Sequence, residues 1–111
     1  MGAFAAGQVI VVPFPFSDLS AQKHRPALIL ADAGRGDWIL CQITSNPFAD
    51  PEAIELTDGA FSRGSLQRTS YARPGKLFTA NDSLFAAHVG ALHDEKLCRV
   101  RDVVVAMLRG K

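Results

Sequence analysis

The sequence predicts a mainly β fold, a small barrel of short strands closed by one C-terminal helix. In the first part of the chain, β-branched and aromatic runs alternate with Gly, Pro, Asn, Asp and Ser clusters, a pattern typical of strands joined by turns. Apolar residues of segment 94–109 recur instead at helical spacing. A chain of 111 residues is the size of one domain, so residues 1–111 are expected to form a single unit.

The N-terminal half supplies three predicted strands. Segment 8–13 is the first, and segment 14–23 is predicted to be a loop because Pro13 and Pro15 each remove a ladder donor. The next two strands are expected at 26–30 and 38–44, with a Gly-rich turn at 32–36 between them. A loop of this length between two strands is a common place for functional residues.

The C-terminal half is predicted to complete the barrel and to add the helix. A weak strand at 53–56 precedes two strands at 69–73 and 76–79, which Pro74 and Gly75 are expected to join in a tight turn with Gly75 at positive φ. Asn81 or Asp82 can cap a short helical turn at 83–87. The helix over 94–109 is expected to end at Gly110 and to face the barrel with its apolar side, formed by Leu97, Val100, Val104, Met107 and Leu108.

Composition excludes several classes of function. Lys and Arg number 12 and Asp and Glu 11, so the net charge of +1 excludes a globally basic coat for nucleic acid. The apolar run 9–16 is far shorter than the roughly 18–20 apolar residues of a membrane span. No positively charged segment precedes this run, as a secretory signal would require. A cytoplasmic protein without membrane contact is therefore expected.

Cysteines and histidines do not form a metal-binding pattern. Cys41 lies in an apolar run and is expected to be a buried, reduced thiol, and Cys98 is too isolated to complete a disulfide framework. No carboxylate or Cys pair accompanies His24, His88 and His93 at ligand spacing. The sequence therefore predicts no metal and no cofactor.

Positive charge is concentrated in one stretch of this nearly neutral chain. Segment 59–81 contains Arg63, Arg68, Arg73 and Lys76 without a single acid. This stretch predicts a local cationic patch, although an ordinary solvated face would have the same composition.

Several segments occur in an order that resembles one protein family. They are GQVIVVPFPFSDL at 7–19, KHRPALIL at 23–30, ILCQITS at 39–45, GSL at 64–66, SYAR at 70–73, KLFT at 76–79 and VGAL at 89–92. The series spans nearly the whole chain and resembles the MazF/PemK family of toxin ribonucleases. The resemblance implies an SH3-like barrel with a C-terminal helix, a homodimer, and an antitoxin protein as partner, with DNA contacted only through the antitoxin complex.

The resemblance also implies a reaction and the residues that perform it. The family cleaves single-stranded RNA without metal, by attack of the ribose 2′-hydroxyl on the adjacent phosphate. Arg25 and Thr44 match the positions usually assigned to catalysis, where a guanidinium and a hydroxyl can contact phosphate oxygens. Arg73 matches an arginine that some members pair with an acid two residues later, but this chain has Gly75 there.

The general base is left open by these residues. Arginine is effectively always protonated, so Arg25 or Arg73 is better suited to act as a clamp or an acid than as a base. His24 has a suitable intrinsic pKa, but in a regular strand it faces away from Arg25. Asp18, in the neighbouring loop, is the other candidate.

Further residues are expected to contact RNA. Ser45 and Lys76 are candidate polar contacts, and Phe16 and Phe48 lie in predicted loops where they could stack on bases or pack into the core. Phe14 is expected to be a core residue. Trp38 and Tyr71 are assigned to the core or to a dimer interface.

The sequence bears on two other functions, and one of them is disfavoured. A catalytically silent barrel that binds an antitoxin or RNA would explain the missing acid at Gly75. A relative of this fold that poisons a topoisomerase is disfavoured, because the Arg25-Pro26 and Thr44-Ser45 pairs match the ribonuclease pattern.

Overall fold

The chain forms one antiparallel sheet that curls into a nearly closed barrel, followed by a single α-helix. The computed structural model describes residues 4–15 and 22–111. The strands are β1 Gln8–Pro15, β2 Gln22–Gly34, β3 Asp37–Thr44, β4 Ile54–Leu56, β5 Phe61–Gly64, β6 Ser70–Asn81 and β7 Ala87–Leu92, and the helix is α1 Asp94–Leu108. Their order across the sheet is β4-β6-β3-β2-β1-β7-β5, which confirms the predicted fold class.

The central strands β2 and β3 are buried on both faces, which explains their near-continuous apolar sequences. Leu28 and Cys41 belong to the core cluster that packs against α1, and Ile29 and Leu40 belong to a second cluster on the other face. All four side chains are fully buried. The sheet is therefore a rigid support for the side chains at the ends of β2 and β3.

Strands β1 and β2 extend into the segment predicted to be a loop. Phe14 pairs with Lys23, so the ends of the predicted loop 14–23 are strand. Proline is tolerated in this part of β1 because β7 pairs with β1 only as far as Val11, which leaves Pro13 and Pro15 in a section paired with β2 alone.

The predicted turn at Pro74 and Gly75 is wrong, because β6 continues through it as one strand. Arg73 pairs with Gln42 and Leu77 with Cys41, so the residues from Pro74 to Lys76 form a bulge. Pro74 is buried, and Gly75 does not have the positive φ that the turn required.

Strands β5 and β7 were missed by the sequence prediction, because each is short and contains a glycine that weakens the strand pattern. Gly64 and Gly90 pair with each other. A Cβ on Gly64 would lie 2.2 Å from the Val89 carbonyl oxygen, and one on Gly90 would lie 2.4 Å from the Arg63 carbonyl oxygen. Only glycine fits this close backbone approach.

The helix follows the prediction, whereas the turn before it covers only Asp82–Leu84 and not the predicted 83–87. The Asn81 side chain caps a short 3-10 turn by accepting a hydrogen bond from the Ser83 amide. Helix α1 ends just before Gly110, which has a positive φ of 81°. Within the described residues no helix is long and apolar enough to cross a membrane.

The apolar side of α1 covers the barrel over only part of its length. Leu97 and Val100 are buried, and Val104 packs against their cluster. The prediction is wrong at the last turn, where Met107 and Leu108 are 38% and 77% exposed.

Candidate active site

A cleft of about 260 Å³ lies where β2 and β3 end. Continuing the register from the Ala27–Gln42 pair by two residues on each strand brings Arg25 opposite Thr44. The cleft is lined by Arg25, Pro26, Ile43, Thr44, Ser45, Leu66, Arg68 and Ser70. Two guanidinium groups and three hydroxyl groups thus line a cleft to which no carboxylate of the described residues contributes, which suits a polyanion.

The Thr44 hydroxyl is oriented by the loop that follows β3. Thr44 is only 8% exposed, and its Oγ1 accepts a hydrogen bond from the Asn46 amide at 3.2 Å. Because the oxygen is the acceptor in this bond, the hydroxyl hydrogen is not used by it and can be donated to a phosphate oxygen. Ser45 is exposed at the rim of the cleft.

Arg25 and His24 are neighbours on β2, but only Arg25 is among the residues that line the cleft. Arg25 is half-buried and pairs with Val12, whereas His24 is exposed and pairs with Pro13. Successive strand residues point to opposite faces, and His24 is not among the residues that line the cleft.

Arg73 lies on β6 and is held by the carboxylate of Asp50, which is not among the site residues predicted from the sequence. Its Nε donates to Oδ2 of Asp50 at 2.9 Å, and its second contact is a long hydrogen bond of 3.4 Å to Oε1 of Gln42. Arg73 and Asp50 are both largely buried, with 17% and 14% of their side chains exposed. Arg73 therefore has an acidic partner in space despite Gly75.

The surroundings of Asp50 make it a clamp rather than a proton acceptor. Hydrogen bonds from the Arg73 side chain and then from the Glu52 amide hold the pKa of Asp50 below its ordinary value. The Glu52 amide donates to Oδ1, while Arg73 occupies Oδ2. A carboxylate with a lowered pKa and both oxygens engaged is a weak base.

Phe48 is presented to solvent beside this ion pair. The residue is 64% exposed, and the Arg73 guanidinium carbon lies 5.5 Å from the centre of its ring. Phe14 is half-buried and stacks edge-to-face on Phe78, with ring centres 5.0 Å apart, whereas Trp38 is buried in the core.

The predicted cationic patch needs correction, because its members differ in environment. Arg73 forms an ion pair with Asp50, which lies outside the acid-free stretch. Arg68 lines the cleft, whereas Arg63 lies on β5 and Lys76 is exposed in the β6 bulge, where it lowers the pKa of Asp50. The candidates Asp18 and Phe16 lie outside the described residues.

Other features of the molecule lie away from this cleft. A larger cavity of about 620 Å³ opens at the start of α1, between His93, Lys96 and Arg99. Burial raises the pKa of the Cys41 thiol to about 12, as expected for a core cysteine. No cluster of three or more His, Cys, Asp or Glu side chains suited to a metal ion occurs in the part of the chain that is described.

The fold is shared with solved toxin structures. An endoribonuclease in complex with its cognate antitoxin from a mycobacterial species is 16% identical, covers 98% of both chains and gives a TM-score of 0.72. The MazE-MazF complex (Form-II) from Deinococcus radiodurans is 19% identical over 100% of both chains, with a TM-score of 0.75. The Mycobacterium tuberculosis toxin MazF-mt6 is 12% identical, covers 90% of this chain and 96% of its own, and gives a TM-score of 0.66.

The sequence itself matches a family model over almost its full length. That model describes the PemK-like, MazF-like toxin of type II toxin-antitoxin systems, and it matches residues 5–108. No curated protein matches the sequence significantly. The match covers all seven strands and the helix, and the chain therefore belongs to the PemK-like, MazF-like toxin family of type II toxin-antitoxin systems.

Proposed function

We propose that this protein is a toxin that cleaves single-stranded RNA by attack of a ribose 2′-hydroxyl on the adjacent phosphate. The observation that carries the proposal is the cleft in which Arg25, Thr44 and Ser45 lie together with Arg68. A cleft with guanidinium and hydroxyl donors, to which the described residues contribute no carboxylate, fits a phosphodiester whose negative charge increases during the reaction.

The proposed reaction assigns a part to each group. The 2′ oxygen forms a bond to phosphorus, the bond from phosphorus to the 5′ oxygen breaks, and the products are a cyclic phosphate and a free 5′-hydroxyl. Arg25 places two parallel donors on the nonbridging oxygens, and Thr44 donates its hydroxyl hydrogen to the same phosphate. Arg68 and Ser45 hold the flanking backbone. Water can supply the proton that the leaving 5′ oxygen takes up.

In this proposal the acceptor for the 2′ proton is Asp18 or His24, and His24 is disfavoured because it is exposed and is not among the residues that line the cleft. Asp50 is the poorer candidate because its pKa is lowered and both of its oxygens accept hydrogen bonds. A pH profile of the cleavage rate in His24→Gln and Asp18→Asn tests the assignment. The acidic limb of the profile disappears in the variant that lacks the base.

The catalytically silent barrel is the second candidate function. It is favoured because none of the described residues that line the cleft carries a carboxylate or an imidazole group. Such a protein would bind RNA or an antitoxin through Arg25 and Arg68 and leave the RNA intact.

One experiment separates these two functions. The protein is incubated with a long RNA of mixed sequence, and the ends of the fragments are mapped. The proposed toxin produces fragments with 5′-hydroxyl and cyclic phosphate ends, and Arg25→Lys produces few of them. Binding of the intact RNA without any cut would establish the silent barrel.

We further propose that the toxin acts as a homodimer in the cytoplasm and that a cognate antitoxin is its partner. Exposed apolar side chains at the end of α1 and on β6 support self-association, since Leu108 is 77% and Leu77 37% exposed. Sedimentation of the wild type and of Leu108→Asp tests the dimer.

A further inference from the structure

Phe48 is held in an exposed position by the loop between β3 and β4. Its φ is 54° and that of Ala49 is 58°, so two consecutive residues other than glycine adopt the left-handed conformation. The Asn46 side chain fixes the turn by accepting a hydrogen bond from the Phe48 amide at 2.9 Å. The Asp50 amide donates to the Pro47 carbonyl at 2.9 Å and closes the loop. The loop thus presents a large apolar ring to solvent in a defined position.

The ring of Phe48 is also supported from within the protein. The Arg73 guanidinium lies over it at 5.5 Å, and Asp50 fixes that guanidinium through its Nε atom. A ring that has a cation over one face and is still 64% exposed presents its other face to solvent. The attraction between the cation and the ring face that it covers helps to hold the ring in place.

The position of this ring relative to the cleft suggests its ligand. Thr44 pairs with Tyr71 and Gln42 pairs with Arg73, so Arg73 lies two residue pairs along the sheet from the pair that contains Thr44. Two residues along a strand correspond to about 7 Å. A strand of RNA with one phosphate at Arg25 and Thr44 would reach the ring with a neighbouring nucleotide.

We propose that Phe48 is a stacking platform for one unpaired base of the RNA, adjacent to the bond at the cleft. Arg73 and Asp50 are positioning residues that hold the ring, and Lys76 adds positive charge near Asp50. This inference rests on the proposed function, since it assigns a subsite to the same substrate.

Binding measurements that combine protein and RNA changes test the platform. The probes are single-stranded oligonucleotides of one cleaved sequence, with the attacking 2′-hydroxyl replaced by hydrogen and with one base removed in each. Affinities are measured by fluorescence anisotropy at fixed salt for the wild type, Phe48→Ala and Phe48→Tyr. Leu84→Ala is the matched control, because Leu84 is another exposed apolar residue outside the loop.

The expected result is a coupling between the ring and one base. Phe48→Ala weakens binding of the intact oligonucleotide by about tenfold, the scale of one base–aromatic stack. Removal of one particular base weakens the wild type by a similar factor and leaves Phe48→Ala unchanged. Phe48→Tyr restores the affinity, and Asp50→Asn reduces the coupling to the same base, which a purely structural role of Asp50 would not do.

Contrary results separate the failure of the platform from that of the proposed function. If the wild type cleaves RNA and Phe48→Ala binds every oligonucleotide as the wild type does, the platform is refuted and the ribonuclease remains. Loss of affinity without coupling to any base also refutes stacking. If Phe48→Ala loses only the binding of an antitoxin, the ring belongs to a protein interface. If the wild type neither binds nor cleaves RNA, both proposals fail.

Discussion

The Nε atom of Arg73 lies 2.9 Å from Oδ2 of Asp50, although the two residues are 23 positions apart. Some family members carry an acid two residues after this arginine, where the present chain has Gly75. The carboxylate comes instead from the loop after β3, since Asp50 follows Thr44 by only a few residues. The ion pair therefore joins that loop to β6.

The ion pair makes stability depend on pH. Because Arg73 lowers the pKa of Asp50 in the folded protein, its stabilisation is present above the ordinary aspartate pKa of about 4. It is lost as the pH falls through the lower folded value. We expect Asp50→Asn to have a lower urea midpoint than the wild type at pH 7, with a difference that shrinks below about pH 4. Asp102→Asn, an exposed position on α1, is the control, and a difference independent of pH would contradict the prediction.

Arg25→Lys is expected to reduce cleavage by roughly 10² or more, while RNA binding weakens little. Lysine keeps the positive charge but lacks the planar fork that donates to two oxygens at once. Single-turnover rates and binding constants measure the two effects separately. Cleavage at the wild-type rate by a folded variant would remove Arg25 from the reaction.

Thr44→Val is expected to slow cleavage by about tenfold, the scale of one lost neutral hydrogen bond. Valine keeps the β-branched shape but cannot accept the hydrogen bond from the Asn46 amide or donate to phosphate. Thr44→Ser keeps the hydroxyl and should stay within about threefold of the wild type. If valine and serine variants cleave equally well, the hydroxyl has no part in the reaction.

Cleavage is expected to continue in excess chelator. The proposed nucleophile is the hydroxyl of the RNA itself, so the reaction does not require a metal-bound water. Rates are compared in chelator and in the presence of magnesium. Activity that chelator abolishes and a divalent ion restores would contradict the proposed mechanism.

RNA and the antitoxin are expected to compete for the protein. The cleft places Arg25 and Arg68 together without a carboxylate from the described residues, so an acidic segment of the proposed antitoxin is expected to bind where the RNA binds. Titration of the RNA complex with purified antitoxin at fixed salt should displace the RNA. Simultaneous binding of both at full affinity would show that the sites are separate.

Much of the fold follows from local sequence, and the errors have local causes. The apolar runs of β2 and β3 predict strands, and the spacing in α1 predicts the helix. Pro74 and Gly75 have the sequence of a turn, but pairing of β6 with β3 on both sides converts this site into a bulge. Gly64 and Gly90 interrupt the sequence pattern of β5 and β7, so these strands are not recognised. The glycines are required because the two strands approach each other closely at this pair.

The candidate site, like the fold, could be predicted only in part from the sequence. The structure brings Arg25, Thr44 and Ser45 into one cleft, and their catalytic roles remain a prediction. The partner of Arg73 could not be predicted, because an ion pair between a loop and a distant strand leaves no spacing pattern in the sequence. An acid at a regular helix or strand spacing from Arg73 would have been easier to identify from the sequence.

The contact between Gly64 and Gly90 has a consequence for solubility. Any side chain at either position would push β5 away from β7, since the added carbon would meet backbone atoms at 2.2 or 2.4 Å. The amide and carbonyl groups along β7 would then be open to pairing with a strand from another molecule. The two glycines thus keep β5, an edge strand of only four residues, in place over the longer β7.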